Sequence, residues 1–365
     1  MPFINPYNFV RPTRKPMPRL QGTTWERWQG RSGQLTCRLT NETPLLVPSG
    51  GSAAGAKEFY RLGNQLAIPG TSLKGAFRCV AETISGACSP FGKNGATDQV
   101  FGRCDNAEKL CPCCRLFGFM GNTVLRGRVC ITDALLEDPS FRPTAPTVYL
   151  ERIGGPKTTH TAFYCDENNQ PRGRKFYWHS PEILTANEIR RSRRAAVEGG
   201  ETLRPLVGST PFVFHVRYNG LSDDELGLLL WTLFPGEEKR HKLGHGKGVG
   251  LGTIRVEPVE WQDQSAEQRY DQFEATAPSA PVTELLATVK RQFVRSRASQ
   301  LGVPDADDLF LLNDDALADL GAILTPRTFK YLVQYPSYDW FKALSQKKLP
   351  TIADTLKGIG LPDRF

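Results

Sequence analysis

The 365-residue chain contains no run of about 18 apolar residues, so no segment is long enough to span a bilayer as a helix. Its start, Met1-Pro2-Phe3-Ile4-Asn5, lacks the basic opening and apolar stretch of a secretory leader. The expectation is a cytoplasmic protein with no membrane attachment. Histidine is scarce, at five residues, and no G-x-S-x-G, H-E-x-x-H or kinase signature occurs. The G-x-x-x-x-G-K-[ST] phosphate loop is missing too, and no dinucleotide fingerprint joins a strand to a helix. These absences remove the commonest hydrolase, metalloprotease, kinase and nucleotide-cofactor classes.

What is present is positive charge. Lys and Arg number 46 against 38 Asp and Glu, a net charge of +8, with a pI near 9.0. Such a balance favours polyanionic partners, because each cation placed on a phosphate releases a bound counterion. The chain length suits one enlarged domain or two. With 39% hydrophobic residues it can bury a substantial core.

Cysteine is unevenly distributed. Of nine, four (Cys104, Cys111, Cys113 and Cys114) fall within eleven residues. In a reducing compartment this clustering points to metal rather than disulfides. Cys111-x2-Cys114 has the spacing of a zinc knuckle, and a closed structural zinc site takes four ligands. Cys104 supplies a third, and Cys88, sixteen residues before it, is the best fourth, with Cys113 as an alternate. No histidine lies nearby, so thiolates fill every position and none is left open to activate water. The competing reading is a group of buried free thiols. Cys37, Cys79 and Cys130 sit in regular elements and are expected to be buried; Cys165 carries no assignment.

Local patterns give the order of elements. Residues 1–32, rich in Pro, Arg and aromatics, read as an extended arm. Gln34 to Leu39 alternates apolar and polar positions as a half-buried strand does. A glycine-rich loop, Pro48 to Gly55, follows. Thr71 or Ser72 caps a helix running to Ser85, with Leu73, Phe77, Val80 and Ile84 at helical spacing. After a cysteine-rich insertion, 88–121, residues 127–135 alternate again. Residues 136–205 are irregular and include four arginines between Arg190 and Arg194. Thr210 to Tyr218 is a strand. Ser222 and Glu225 form a capping box for a helix reaching Phe234. Thr253 to Val259 is another strand. The order β-α-β, β-α-β is the split ferredoxin-like unit shared with RNA-recognition modules. The reading is therefore an α+β core, 33–260, with a zinc-binding insertion at 88–121 and a thumb-like insertion at 136–205. A helical C-terminal extension, 261–365, carries an acidic stretch from Asp305 to Asp319 and packs on the core or on a neighbour.

Three groups of residues suit phosphate. Lys242, Gly244, His245, Gly246, Lys247, Gly248 and Gly250 form a glycine loop in which exposed N–H groups can make an anion nest, with the lysines adding charge. Lys74 and Arg78 lie on the first helix, whose N-terminus follows Pro69-Gly70 and offers N–H groups to an anion. Arg126, Arg128, Arg172, Arg174, Lys175 and the Arg190–Arg194 run sit near Phe176, Tyr177 and Trp178, a mixture that suits single-stranded RNA with stacked bases. The alternative readings are a turn-rich hairpin and solvated helix faces. His215, in a strand, reads as structural, whereas His241 or His245 could act as acid and base in RNA cleavage.

Four stretches together resemble the RAMP superfamily of CRISPR-associated proteins. They are Ile68 to Arg78, the Cys111-Pro112-Cys113-Cys114-Arg115-Leu116-Phe117-Gly118 segment, Gly127 to Ala134, and Gly244 to Gly252. The opening Asn5-Pro6-Tyr7-Asn8-Phe9-Val10 is similar to a subgroup found with type III systems. The resemblance implies a modified RNA-recognition fold. It also implies a backbone subunit lying along a guide RNA (crRNA), with complementary target RNA and other effector subunits as partners, in antiviral defence. Some type III subunits cut target RNA through an aspartate in the loop after the first strand, using a divalent metal. Here that loop, Leu45 to Ser52, holds no Asp or Glu. The expectation is a non-catalytic guide-binding subunit with one structural zinc, whose arm and tail dock on neighbouring subunits. The alternatives are an endoribonuclease using a relocated acid, Asp98 or Asp133, or a histidine, His241 or His245, and an assembly protein that does not touch RNA.

Overall fold

The computed structural model describes residues 2–24, 30–53, 56–89, 102–143, 146–150, 161–167, 170–180, 201–265, 281–344 and 346–362. The framework begins with β1 (Tyr7–Val10), β2 (Arg31–Asn41), β3 (Pro48–Ala53), α1 (Gly70–Ser85) and α2 (Pro112–Phe117). It continues with β4 (Val129–Ile131), β5 (Ala134–Leu136), β6 (Arg174–Tyr177), β7 (Pro211–Leu221) and α3 (Asp223–Leu233). Then come β8 (His241–Lys242), β9 (Thr253–Ser265), α4 (Val282–Leu301) and α5 (Asp315–Leu324). Asp98, His160 and the Arg190–Arg194 run lie outside the described residues.

Alternation decides which side of the sheet is buried. Leu35, Cys37 and Leu39 of β2 face inward, as do Phe212, Phe214, Val216 and Tyr218 of β7. Those two strands pair antiparallel, Cys37 opposite Phe214, and β9 pairs on the other edge of β2. The main sheet runs β8-β9-β2-β7-β5 and continues into Gln65–Ile68 and Arg61–Leu62; β4 also pairs with β7. For the two β-α-β halves this is the order fourth, first, third, second, the ferredoxin-like arrangement. Helices α1 and α3 cover the apolar face, where Phe77 stacks on Phe214 with centroids 6.0 Å apart.

Capping holds as expected at α3 and differs at α1. Ser222 accepts from the Glu225 N–H at 3.3 Å, and Glu225 accepts from the Ser222 N–H at 3.1 Å. At α1 the N-cap is Pro69, with Thr71 and Ser72 inside the helix. The Gly70 N–H instead donates to Asp133 Oδ1 at 2.7 Å. Asp133, one of the acids considered for cleavage, is thus engaged as a helix cap.

Several charged or sulfur side chains sit differently from the expectation. Arg128 is buried and, with Arg115, surrounds Glu225, fastening α2 and β4 to α3. Trp178 is also buried, edge-on to Phe329, so it cannot offer a face to a base. Cys37 is buried and Cys79 half-buried, but Cys130 is exposed, because β4 turns Val129 and Ile131 inward.

The described N-terminal arm packs on its own chain. Strand β1 pairs with β6, Tyr7 opposite Tyr177 and Val10 opposite Arg174. Phe3 exchanges backbone bonds with Leu361 at 2.7 and 2.8 Å. Buried Arg297 of α4 donates to Thr13 Oγ1 at 3.0 Å and to the Lys15 carbonyl at 2.7 Å. Beyond β9, which reaches Ser265 rather than stopping at Val259, the described extension carries helices joined by irregular segments, the one at 325–337 being 13 residues long, and α4 lies against α3. No helix among the described residues is long and apolar enough to cross a membrane.

Candidate nucleic-acid interface and metal centre

A cleft of about 590 Å³ opens where α1, β6 and the glycine loop meet. Its helical wall is made of small residues one turn apart, Thr71, Gly75 and Cys79. A Cβ on Gly75 would meet nothing within 4 Å, so a ligand can approach this helix closely. The opposite sides carry Lys175 and Tyr177 from β6 and Lys242, Gly244, His245 and Lys247 from the loop. The glycine loop and the basic-aromatic stretch, some 70 residues apart in sequence, therefore share one site. Lys74, Arg78 and Arg126 do not line it. Arg78 is paired with Glu82 at 2.8 Å, and Asp133 already occupies the first N–H of α1. The first turn of the helix also brings Thr71 and Ser72 to the edge of the cleft.

The glycines of the loop build its shape. Gly244 has φ +81°, and a Cβ there would lie 2.2 Å from the Leu46 carbonyl oxygen. Gly248 lies under Tyr335, whose hydroxyl would be 2.0 Å from an added Cβ. The N–H groups of Leu243, His245, Val249, Gly250, Leu251 and Gly252 donate to carbonyl oxygens of the protein. Part of the loop backbone is thus committed within the protein, and the lysine side chains add charge beside it.

Those side chains are lysines without carboxylate partners in the cleft. Lys242 Nζ donates to the Leu251 carbonyl at 3.0 Å and the Gly250 carbonyl at 3.3 Å. Lys247 Nζ donates to the Gly244 carbonyl at 2.9 Å. Lys175 Nζ sits 3.7 Å from the Tyr7 ring centroid and 4.9 Å from that of Tyr177. Burial, with the neighbouring Lys247, brings the Lys242 pKa down to about 7. Burial also lowers that of Lys247. Among the described residues that line the cleft there is no Asp or Glu. An anion entering it would relieve both the desolvation and the like-charge repulsion.

The histidines divide. His241 is buried against Phe77, with Nε2 3.3 Å from the Leu233 carbonyl oxygen, and burial lowers its pKa to about 4. The residue also borders the cleft. His245 Nε2 lies 2.8 Å from Glu201, which also accepts from Lys57 at 2.7 Å. His215 is 3.3 Å from Thr36 within the sheet, a structural placement. In the stretch from Leu45 to Ser52, Leu45, Leu46 and Val47 are buried, and Val47 and Pro48 border the cleft.

The second site is sulfur. The Sγ atoms of Cys88, Cys104, Cys111 and Cys114 all lie within 4.8 Å of one another, and all four residues are buried. Cys88 is 3.5 Å from Cys114 and 3.7 Å from Cys111. A tetrahedral ion with metal–sulfur bonds of about 2.3 Å sets its sulfurs roughly 3.8 Å apart, so the donor set fits one such ion. Cys113 is not part of it. Its Sγ is 3.5 Å from Ser85 Oγ, and burial raises its pKa to about 12, which keeps it a neutral thiol.

Two arginines absent from the expected ligand set surround this cluster. Arg19, from the arm, donates to Cys104 Sγ at 3.6 Å, and the Cys111 N–H donates to the same sulfur at 3.3 Å. Donors of this kind stabilise thiolate charge and hold ligand orientation. Arg174 binds the backbone beside Cys88. The density of arginine in the first twenty residues was the available signal for the first. Nothing local marks the second.

A sequence model of the RAMP superfamily matches residues 38–255, more than half of the chain. No curated protein matches.

Proposed function

The chain belongs to the RAMP superfamily, and from that membership, which points to a CRISPR-associated RNA-binding role, we propose that it is a guide-RNA-holding subunit of a type III effector complex. The observation that carries this reading is the cleft itself. Lys175, Lys242 and Lys247 converge there without a carboxylate, beside Tyr177. Phosphates of a single strand would lie on the lysines, and the tyrosine ring offers a stacking face. Sequence specificity would come from base pairing of the guide, with the protein reading backbone.

This subunit holds RNA rather than cutting it. Metal-assisted hydrolysis needs an oxygen ligand near the scissile phosphate, and the Leu45–Ser52 stretch supplies no acid. The four-cysteine cluster would hold one structural zinc through Cys88, Cys104, Cys111 and Cys114, pinning the start of the insertion to α2.

The test uses the purified chain and an assembled complex, each with labelled guide, precursor and target RNA, with and without Mg²⁺. The expected result is salt-sensitive RNA retention with all RNAs intact. Cleavage abolished by His245→Ala or Asp98→Ala would overturn the non-cleaving reading. An isolated chain that retains no RNA at low salt would leave an assembly protein instead.

A further inference from the structure

Arg174 stands between the cysteine cluster and the cleft. Its Nη2 donates to the carbonyl oxygens of Ala87 and Cys88, each at 2.8 Å. Its Nη1 donates to Glu82 Oε2 at 2.5 Å. Both side chains are largely buried, at 13% and 11% exposure, which limits solvent screening of the pair. Cys88 is a member of the sulfur cluster. The residue after Arg174 is Lys175, in the cleft wall, and Tyr177 follows on the same strand. One guanidinium thus connects the backbone of a cluster cysteine to the strand that presents the cleft's cation and aromatic ring.

We propose that Arg174 is a positioning residue through which metal binding at Cys88, Cys104, Cys111 and Cys114 and RNA binding in the cleft reinforce each other. The inference rests on the RNA-holding reading above. Strand β6 has four residues, and among the described residues it pairs only with the four-residue β1. A two-stranded pair of that length is marginal alone, so its placement depends on side-chain anchors. Arg174 is such an anchor, and two of its three named acceptors lie on the segment that ends in Cys88. Metal fixes the Cys88 sulfur and with it that segment. Without metal, four crowded sulfurs relax apart, the Ala87 and Cys88 carbonyls shift, and Arg174 loses two of its three named acceptors. Lys175 and Tyr177 then lose their register with Lys242 and Lys247.

Coupling of this kind is reciprocal: RNA must tighten the metal by the factor by which metal tightens RNA. The experiment measures both sides on the full-length chain. Zn²⁺ affinity is read by competition with a chromogenic chelator, with and without saturating single-stranded RNA. RNA affinity is read by fluorescence anisotropy with metal loaded and stripped. The wild-type chain is expected to show a factor of about ten in each direction, within the usual span of coupling. In Arg174→Ala both factors should fall to about one, while the thiolate-to-cobalt absorption of the Co²⁺-loaded protein is unchanged. Arg174→Lys, which keeps the charge but not the planar fork, should recover only part of the factor. Lys175→Ala should weaken RNA binding yet keep the coupling. If the stripped chain does not fold, the chelator competition on the folded, loaded protein gives the factor alone. RNA and metal that bind independently in the wild type, or coupling that persists in Arg174→Ala, would overturn this inference while leaving the RNA-holding reading intact. A metal-loaded chain that binds no RNA would overturn both.

Discussion

Arg11 and Asp319, 308 positions apart in sequence, form a two-pronged ion pair, with Nε to Oδ2 at 2.7 Å and Nη2 to Oδ1 at 2.9 Å. Asp319 is 4% exposed and Arg11 38%. Thr13 adds a bond to Asp314 at 2.8 Å. The basic arm and the acidic stretch of the extension are therefore complementary faces of one interface within the chain.

Asp319→Asn should lower unfolding stability by about 1.5–2 kcal/mol, the lower part of the range for a hydrogen bond to a charged group, because Arg11 is partly in water. Chemical denaturation reads the loss. An unchanged midpoint would show that the Arg11–Asp319 pair adds nothing measurable to holding the arm.

Metal analysis should find about one zinc per chain. The Cys111→Ser/Cys114→Ser double variant should lose it, and Cys113→Ser should keep it. Retention should weaken as pH falls, because bound thiolates must be deprotonated. A metal-free wild-type chain purified without chelators would refute the centre.

Lys242→Ala and Lys247→Ala should each weaken single-stranded RNA binding across sequences. Each should also flatten the logarithmic salt dependence by about 0.7, the value per phosphate contact on a single strand. Weaker binding with an unaltered salt slope would mean that the lysines shape the loop without touching phosphate.

The pH dependence of the same site has a definite sign. Lys242 is depressed from 10.5 to about 7 in the free protein, and a bound phosphate would raise it again. Binding above neutrality then takes up a proton, so affinity should fall as pH rises from about 6 to 8. Lys242→Arg, whose charge does not titrate, should flatten that profile. For this group stability runs the other way. Between about 7 and 10.5 the unfolded chain holds a proton that the native chain lacks, so raising pH stabilises the fold. Isothermal titration in buffers of different ionisation enthalpy counts the proton directly, and a zero count at pH 8 would contradict the assignment.

The features legible in the sequence were those set by local repeats. Alternation from Phe212 to Tyr218 marked β7, and Ser222 with Glu225 marked the start of α3, because strand period and capping are fixed within a few residues. The paired cysteines marked the cluster for the same reason. Excluding Cys113 required knowing how α2 turns, since a helix sends consecutive side chains in different directions. The destination of the loop amides was hidden, because Pro44 and Leu46 lie about 200 residues away. Arg128 looked like surface charge until Glu225 appeared beside it. Composition counts charges and says nothing of their partners. Arg174 was named among the cations, but its contact with Cys88 depends on β6 lying beside the end of α1, which no local pattern encodes.

The backbone exchange between Phe3 and Leu361 sets a timetable. A ribosome releases position 3 long before position 361 exists. Ile4, bonded to Leu332 and Gln334, waits nearly as long, so β1 and its partner β6 stand against an unfinished wall. Long-range closures of this sort form late and slowly. The ferredoxin-like sheet, whose strands are all made by residue 265, can assemble first. The cleft would be completed only afterwards, so a nascent chain would have a core before it has a grip.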